Sequence, residues 1–223
     1  AVSFLSSGAE SALARDGAAA SQSFRLAGEQ FDSAAKSIDA LGLGTSAILA
    51  ALPSIGSDYR SGKALVEAGK ELSIAGTRIA EGLEAMNNEL SPTPVSRLSL
   101  LEMYLRSALP HLIASAEAFD KVDIDDLPEQ HQETFLQLTE QLPSIQKTIA
   151  EFLDFYELAN IVLGGEGTQR YLLVFQNNTE IRPTGGFIGS FAELKVRNGV
   201  IEELTVPGGG SYDLQGSMRT KLI

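Results

Sequence analysis

Residues 170–204 read RYLLVFQNNTEIRPTGGFIGSFAELKVRNGVIEEL, and this stretch decides the fold class. The run YLLVF is apolar and bounded by polar residues, FIGSFAELKV is β-prone and partly alternating, and RNG before VIEELTV is a strong hairpin signal. We therefore expect at least three strands. A sheet of this size is marginal alone, so either helices cover it or residues beyond 223 complete it.

The sequence before this stretch is typical of helices. Between about Ser3 and Leu41, apolar and small residues recur at steps of three and four, which predicts one amphipathic helix. A second helix is indicated by a sevenfold repeat of large apolar residues at Leu65, Leu72, Ile79 and Met86.

Three glycines repeat with the same period in the second helix, at Gly62, Gly69 and Gly76. Each glycine inside a helix costs about 0.5–1 kcal/mol relative to alanine, so another interaction should offset that cost. We expect close packing of this glycine stripe against a small-residue stripe of the first helix, formed by Ala20, Ala27 and Ala34. The alternative is a lone, flexible second helix.

Two more helices complete the predicted bundle. One begins at the capping residue Thr93 and runs to about Lys121, with Pro110 kinking or dividing it. The other keeps three-four spacing from Phe135 to Leu163 and ends at Gly164. The sequence thus predicts an α+β chain: an antiparallel bundle of long helices over residues 1–165, then a small β-sheet over residues 166–223 that begins an incomplete β/α domain.

Composition limits the possible partners. The chain has 17 basic and 29 acidic residues, a net charge of −12, which opposes binding to nucleic acid or to an anionic lipid surface. It has no cysteine, which excludes disulfides, thiol catalysis and cysteine-bound zinc. Because the sequence starts at Ala1 without a methionine, we expect an upstream segment such as a membrane anchor.

The connection QNNTEIRPTGGF, residues 176–187, carries the polar groups that most resemble a binding site. It puts amides, a carboxylate and a guanidinium after an apolar strand, where a loop presents them together. In one interpretation Glu180 and Arg182 pair with each other or with the backbone and fix the turn. In the other, Arg182 and the amides hold a carboxylate, a phosphate or a sugar. The candidate ligand-binding residues are Gln176, Asn177, Asn178, Glu180, Arg182, Gly185 and Gly186.

Other polar groups give weaker signals. The acids of DKVDIDD, residues 120–126, lack the register of a calcium loop, so we interpret them as a solvated loop in which Asp126 or a neighbour caps the next helix. His111 and His131 lack a second ligand at i+4. We predict no metal site, no cofactor and no catalytic residue.

The stretch RYLLVFQNNTEIRPTGGFIGS resembles the signature of a bacterial domain-of-unknown-function family, the one numbered four-zero-one-two. The resemblance runs from about Arg170 to Gly216 and adds Asp213, in GGGSYDLQG, to the candidate ligand-binding residues. It implies an extracytoplasmic protein of the bacterial cell envelope, anchored by an N-terminal transmembrane helix outside this chain. It also implies a β/α domain that continues past Ile223.

We expect a non-enzymatic module of the bacterial cell envelope, with the helices as a membrane-proximal stalk and the strands as a recognition or assembly element. Its expected partners are a second copy of the chain, other envelope proteins or cell-wall glycans. The alternative is an enzyme that transfers or hydrolyses cell-wall glycopolymers, suggested by a loose similarity to ligases of the LytR-CpsA-Psr type. That similarity implies that Arg182 binds a pyrophosphate while Glu180 or Asp213 holds a metal or acts as a base.

Overall fold

The computed structural model describes residues 1–40, 42, 45, 56–87, 92–182 and 185–207. These contain helices α1 (Val2–Leu13), α2 (Gly17–Asp39), α3 (Gly56–Asn87), α4 (Pro94–Phe119) and α5 (Glu129–Val162), with a 3-10 helix (Ile124–Asp126) before α5. Strands β1 (Gln169–Arg182), β2 (Gly185–Arg197) and β3 (Val200–Thr205) follow. The predicted α+β class, with long helices before a small antiparallel sheet, is confirmed.

The chain divides into two compact units. The helical unit comprises Ala1–Pro92 and Arg97–Tyr156, and the sheet unit comprises Thr93–Ser96 and Glu157–Ile223. The division therefore falls within α4 and α5, and each unit is described separately below.

The single first helix predicted from the sequence is wrong, because the chain reverses between α1 and α2. Arg15 takes a left-handed conformation with φ 62°, which an uninterrupted helix does not allow. Asp16 then caps α2, and its side chain accepts a hydrogen bond from the Ala19 amide at 3.0 Å. Small residues continue through the break, so hydrophobic periodicity alone does not reveal it.

The glycine stripe of α3 does serve close packing, but against aromatic rings rather than the predicted alanines. A Cβ atom at Gly76 would lie 2.6 Å from the Phe24 ring, and one at Gly69 would overlap the Phe31 ring. Gly62, the third member of the repeat, has open space where its Cβ would be. Two glycines seven residues apart on α3 thus receive two phenylalanines seven residues apart on α2, which places these helices antiparallel.

Helices α3 and α4 are also antiparallel, and polar contacts as well as apolar packing join them. The hydroxyl of Ser115, which is buried, donates to the carbonyl oxygen of Ala68 at 3.0 Å. One turn earlier on α4, the Nδ1 atom of His111 lies 2.6 Å from Oε2 of Glu71. The predicted second helix is therefore not a lone helix.

Helix α5 packs antiparallel to α4. The Gln146 side chain donates to the carbonyl oxygen of Leu112 at 3.0 Å, and the rings of Phe119 and Phe135 meet edge to face with centroids 5.6 Å apart. The sevenfold apolar repeat of α3 and the three-four repeat of α5 both pack against the same core, as predicted. This core includes Leu105, Leu112, Leu142, Ile149 and Leu153.

The start of α4 is capped as predicted, since the Ser96 amide donates to the hydroxyl oxygen of Thr93 at 3.1 Å. Pro110 does not divide this helix, which continues to Phe119.

In the sheet unit the strands form an antiparallel sheet in the order β1-β2-β3. Asn198 and Gly199 form the turn between β2 and β3 with φ 51° and 76°, which confirms the predicted Asn-Gly hairpin. Helix α5 ends, as predicted, before a left-handed Gly164 with φ 73°. The Asn198 amide donates to the Gly164 carbonyl at 3.0 Å, so the end of the helix is bonded to the hairpin turn.

Candidate functional site

The candidate polar residues lie on a strand, not on the loop that the sequence suggested. Strand β1 continues past the apolar YLLVF run to Arg182, because its backbone keeps pairing with β2. Gln176 pairs with Ile188 and Asn177 pairs with Phe187. The candidate site is therefore the far end of a long β1–β2 hairpin.

The paired glycines are explained by the Gln176 side chain. A Cβ atom at Gly185, where φ is 116°, would lie 3.1 Å from the Gln176 amide nitrogen. A Cβ at Gly186 would lie 2.8 Å from the same nitrogen and 2.6 Å from the carbonyl oxygen of Asn177. Gly186 thus admits a close approach of the Asn177 backbone on the facing strand, and both glycines leave room for the Gln176 side chain.

Asn177 shapes an irregularity in β1. Its Oδ1 atom accepts hydrogen bonds from the Thr179 amide at 3.1 Å and from the Thr179 hydroxyl at 2.7 Å, an arrangement typical of an Asx turn. Residues 178–181 of β1 stand opposite Gly186 alone, between the pairs Asn177–Phe187 and Arg182–Gly185. A local bulge of this kind bends a strand and redirects its side chains.

The remaining candidates are only partly described. Asn178 and Glu180 are exposed on the bulged segment. The side chain of Arg182 and the whole of Asp213 lie outside the described part of the chain, so the predicted Glu180–Arg182 pair stays a prediction.

The two faces of the sheet differ in charge: one carries the charged residues together with the exposed Leu172 and Val174, and the other is largely apolar. Arg170, Lys195 and Glu203 are cross-strand neighbours in the polar row. Lys195 contacts the Glu203 carboxylate at 2.5 Å, and this hydrogen bond is the main reason that the pKa of Glu203 lies below its ordinary value.

One residue further along each strand, the cross-strand neighbours are apolar and lie on the other face. There Tyr171 pairs with Leu194, and Leu194 pairs with Leu204. We use "apolar face" below for the set Tyr171, Leu173, Phe175, Ala192, Leu194, Val196 and Leu204. Alternation along the strands places these residues on one side of the sheet.

Only the middle of the apolar face is covered. Ala192 and Val196 on the central strand are 1 % and 8 % exposed. The end of α5 lies beside this face, because the Tyr171 hydroxyl donates a hydrogen bond to the carbonyl of Val162, the last residue of the helix. Toward the edge strands, in contrast, Leu173 is 38 %, Phe175 is 52 % and Leu204 is 55 % exposed.

One side-chain cluster was missed by the sequence analysis. The next helix is the 3-10 helix, and a neighbour of Asp126 caps it as predicted, because Asp123 Oδ1 accepts a hydrogen bond from the Asp125 amide at 3.1 Å. The Oδ2 atom of Asp126 instead accepts hydrogen bonds from the hydroxyls of Ser57 at 2.7 Å and Ser61 at 2.5 Å, both near the start of α3. These bonds, chiefly the one from Ser61, hold the pKa of Asp126 below its ordinary value of 3.8. No local signal in the sequence indicates this link, because the partners are more than 60 residues apart.

Metal ligands are not brought together within the described ranges, where no three His, Asp or Glu side chains form a group that fits an ion. The acidic loop at residues 120–126 is a connection tied to α3, as the Asp126 contacts demonstrate.

Fold and site together define an α+β protein with a helical unit and an incompletely covered sheet. Residues 166–219 match the model of the family described as "Protein of unknown function (DUF4012)", which confirms the resemblance stated for this part of the sequence. No curated protein and no solved structure matches the chain. Among the described residues, no helix combines the length and the apolar character that crossing a bilayer requires.

Proposed function

We propose that the chain is a non-enzymatic module of the bacterial cell envelope, in which the apolar face of the sheet binds another polypeptide. The location follows from the family resemblance and is part of the proposal. The helical unit acts as the stalk that carries the sheet.

One observation carries this proposal: the exposed margins of the apolar face. Leu173, Phe175 and Leu204 are core-type residues that are already about half buried, so covering the rest of each would contribute about half of the roughly 1.5–3 kcal/mol expected for complete burial. Leu173 and Phe175 are neighbours on one side of β1, and exposed apolar patches of this kind mark interaction sites in folded proteins. The opposite face also exposes two apolar residues, Leu172 and Val174, but it carries charged groups such as the Lys195–Glu203 pair among them.

The order of the strands is also compatible with binding a partner at the edge of the sheet. Strands β1 and β3 are the edges of the described sheet, so backbone pairing with a partner strand is available beside the apolar face. The polar hairpin end supports a structural role for its amides, because Gln176 packs on the glycine pair and Asn177 bonds to Thr179.

If the partner is a second copy of the chain, the protein should self-associate. Sedimentation velocity across a wide concentration range measures this association. The test variant carries Leu173→Gln and Leu204→Gln on the apolar face. The control carries Leu172→Gln and Val174→Gln, which lie on the same sheet but on the opposite face and are also exposed. Circular dichroism first establishes that both variants fold.

We expect the wild type and the control to associate and the test variant to remain monomeric. Equal association of both variants would contradict a role for the apolar face. If the wild type stays monomeric, a second copy of the chain is not the partner. The partner would then be a different envelope protein, and cross-linking from the apolar face would detect it.

A further inference from the structure

Two adjoining cavities of about 300 Å³ each lie within the helical unit. They share four lining residues, Val2 and Leu5 of α1 and Thr134 and Leu138 of α5. The two cavities therefore lie side by side along the same pair of helices.

The walls come from all five helices bounded above, α1 to α5. Besides α1 and α5, the first cavity is lined by Phe31 of α2, Leu65 of α3 and Phe119 of α4. The second is lined by Phe24, Leu72 and Leu112 from the same three helices. Gly69 and Gly76, which seat the two phenylalanine rings, each line one of the cavities.

The lining is apolar and uncharged. No Asp, Glu, Lys or Arg of the described residues lines either cavity, and the polar side chains that do, those of Ser6, His131, Thr134 and Gln141, are all exposed. A larger cavity of about 430 Å³ between α2 and α3 differs, because its charged groups pair with one another, as Arg25 does with Glu29 and Lys70 with Asp32.

The size and polarity of the two apolar cavities decide the class of ligand. Both cavities open to solvent where the exposed Val2 and Thr134 line them, but their walls offer few of the polar partners that hold ordered water. An α-helix of about 10–12 Å diameter does not fit, whereas cavities of about 300–1,000 Å³ are typical of small-molecule sites. Two cavities side by side favour a linear, flexible molecule, because one chain passing Thr134 fills both.

We infer that the helical unit binds a single linear alkyl chain, such as the tail of a lipid or a free long-chain alcohol. The chain lies between α1 and α5, and its polar end remains at the exposed side near His131 or Gln141. This site is separate from the apolar face of the sheet and does not depend on the function proposed for it.

Calorimetric titration of the full chain with hexanol, octanol and decanol tests the inference. Affinity should rise about fourfold for each added methylene while the cavities fill, as expected for burial of apolar surface. Thr134→Trp, which places an indole at the residue shared by both cavities, should abolish the binding. Thr134→Leu, a smaller change in case the indole prevents folding, should weaken it.

Thr148→Trp is the matched control, because Thr148 is an exposed threonine of the same helix that lines neither cavity. It should bind alkanols like the wild type. An affinity independent of chain length, or equal binding by Thr134→Trp and Thr148→Trp, would overturn the inference and assign any binding to exposed surface elsewhere.

Flotation with neutral phosphatidylcholine vesicles distinguishes the two sources of the chain. If the tail of a membrane lipid is the ligand, the wild type floats with the vesicles and Thr134→Trp does not. If a free alkyl chain is the ligand, neither protein floats and the alkanol titration retains its chain-length dependence.

Discussion

Alanine substitutions at Gly76 and Gly62 should change stability in opposite directions, although both glycines lie inside α3. At Gly62 an added methyl group meets nothing within 4 Å. The substitution should therefore stabilise the protein by the helix-propensity difference, about 0.5–1 kcal/mol.

At Gly76 the same methyl group lies 2.6 Å from the Phe24 ring. Such overpacking costs about 1–3 kcal/mol. The propensity gain is common to both variants, so the difference between Gly62→Ala and Gly76→Ala should equal this overpacking term, and Gly76→Ala should be the less stable chain.

Urea unfolding followed by far-UV circular dichroism measures the difference. A double-mutant cycle with Phe24→Leu, which removes the ring, should reveal a coupling of about 0.5–3 kcal/mol between positions 24 and 76. If Gly76→Ala were as stable as Gly62→Ala, or if its effect were the same without the Phe24 ring, the explanation of the glycine repeat would be refuted.

Three further predictions concern other contacts. Gly186→Ala should open the end of the β1–β2 hairpin at a cost of about 1–3 kcal/mol, because the methyl group would meet the Asn177 carbonyl; faster amide exchange confined to this end is the test, and unchanged exchange would count against it. Gly199→Ala should lower stability by about 1–2 kcal/mol through its left-handed backbone, and thermal unfolding should begin about 2–8 °C lower; an unchanged transition would contradict the turn assignment. The depressed pKa of Asp126 means that its stabilising contribution is present above pH 3.8 and is lost as the pH falls through the lower folded pKa. Asp126→Asn should therefore lose less stability than the wild type on acidification, whereas equal losses would exclude the Ser61 contact as the cause.

Elements with strong periodicity were predictable from the sequence. The sevenfold repeat of α3 and the three-four repeat of α5 packed into one core as expected, because each repeat places its large apolar side chains on one helix face. The Asn198–Gly199 turn was equally predictable, because few residue pairs adopt two successive left-handed conformations.

Features that depend on contacts distant in sequence were not predictable in the same way. The break between α1 and α2 depends on the left-handed Arg15, which apolar periodicity does not register. The Asp16 cap was a local signal that could have indicated it. The partner of the glycine stripe was also misassigned, although Phe24 and Phe31 share the seven-residue spacing of Gly76 and Gly69.

The candidate segment was predicted as a loop, and that prediction was wrong. Polar and glycine-rich composition suggested a turn, but backbone pairing with β2 extends the strand through Gln176 and Asn177. Tertiary pairing of this kind overrides local propensity. The contacts of Asp126 could not be predicted from local sequence, because only folding brings Ser57 and Ser61 next to its carboxylate.

The most direct test of the proposed function is photo-cross-linking in the natural cell, with a photoreactive phenylalanine analogue placed at Phe175 or at Val174. These neighbours are similarly exposed but lie on opposite faces of β1. The proposal predicts a cross-link to a second polypeptide from position 175 and none from position 174. Cross-links only within the same chain, or equal cross-links from both positions, would contradict the claim that the apolar face binds a partner.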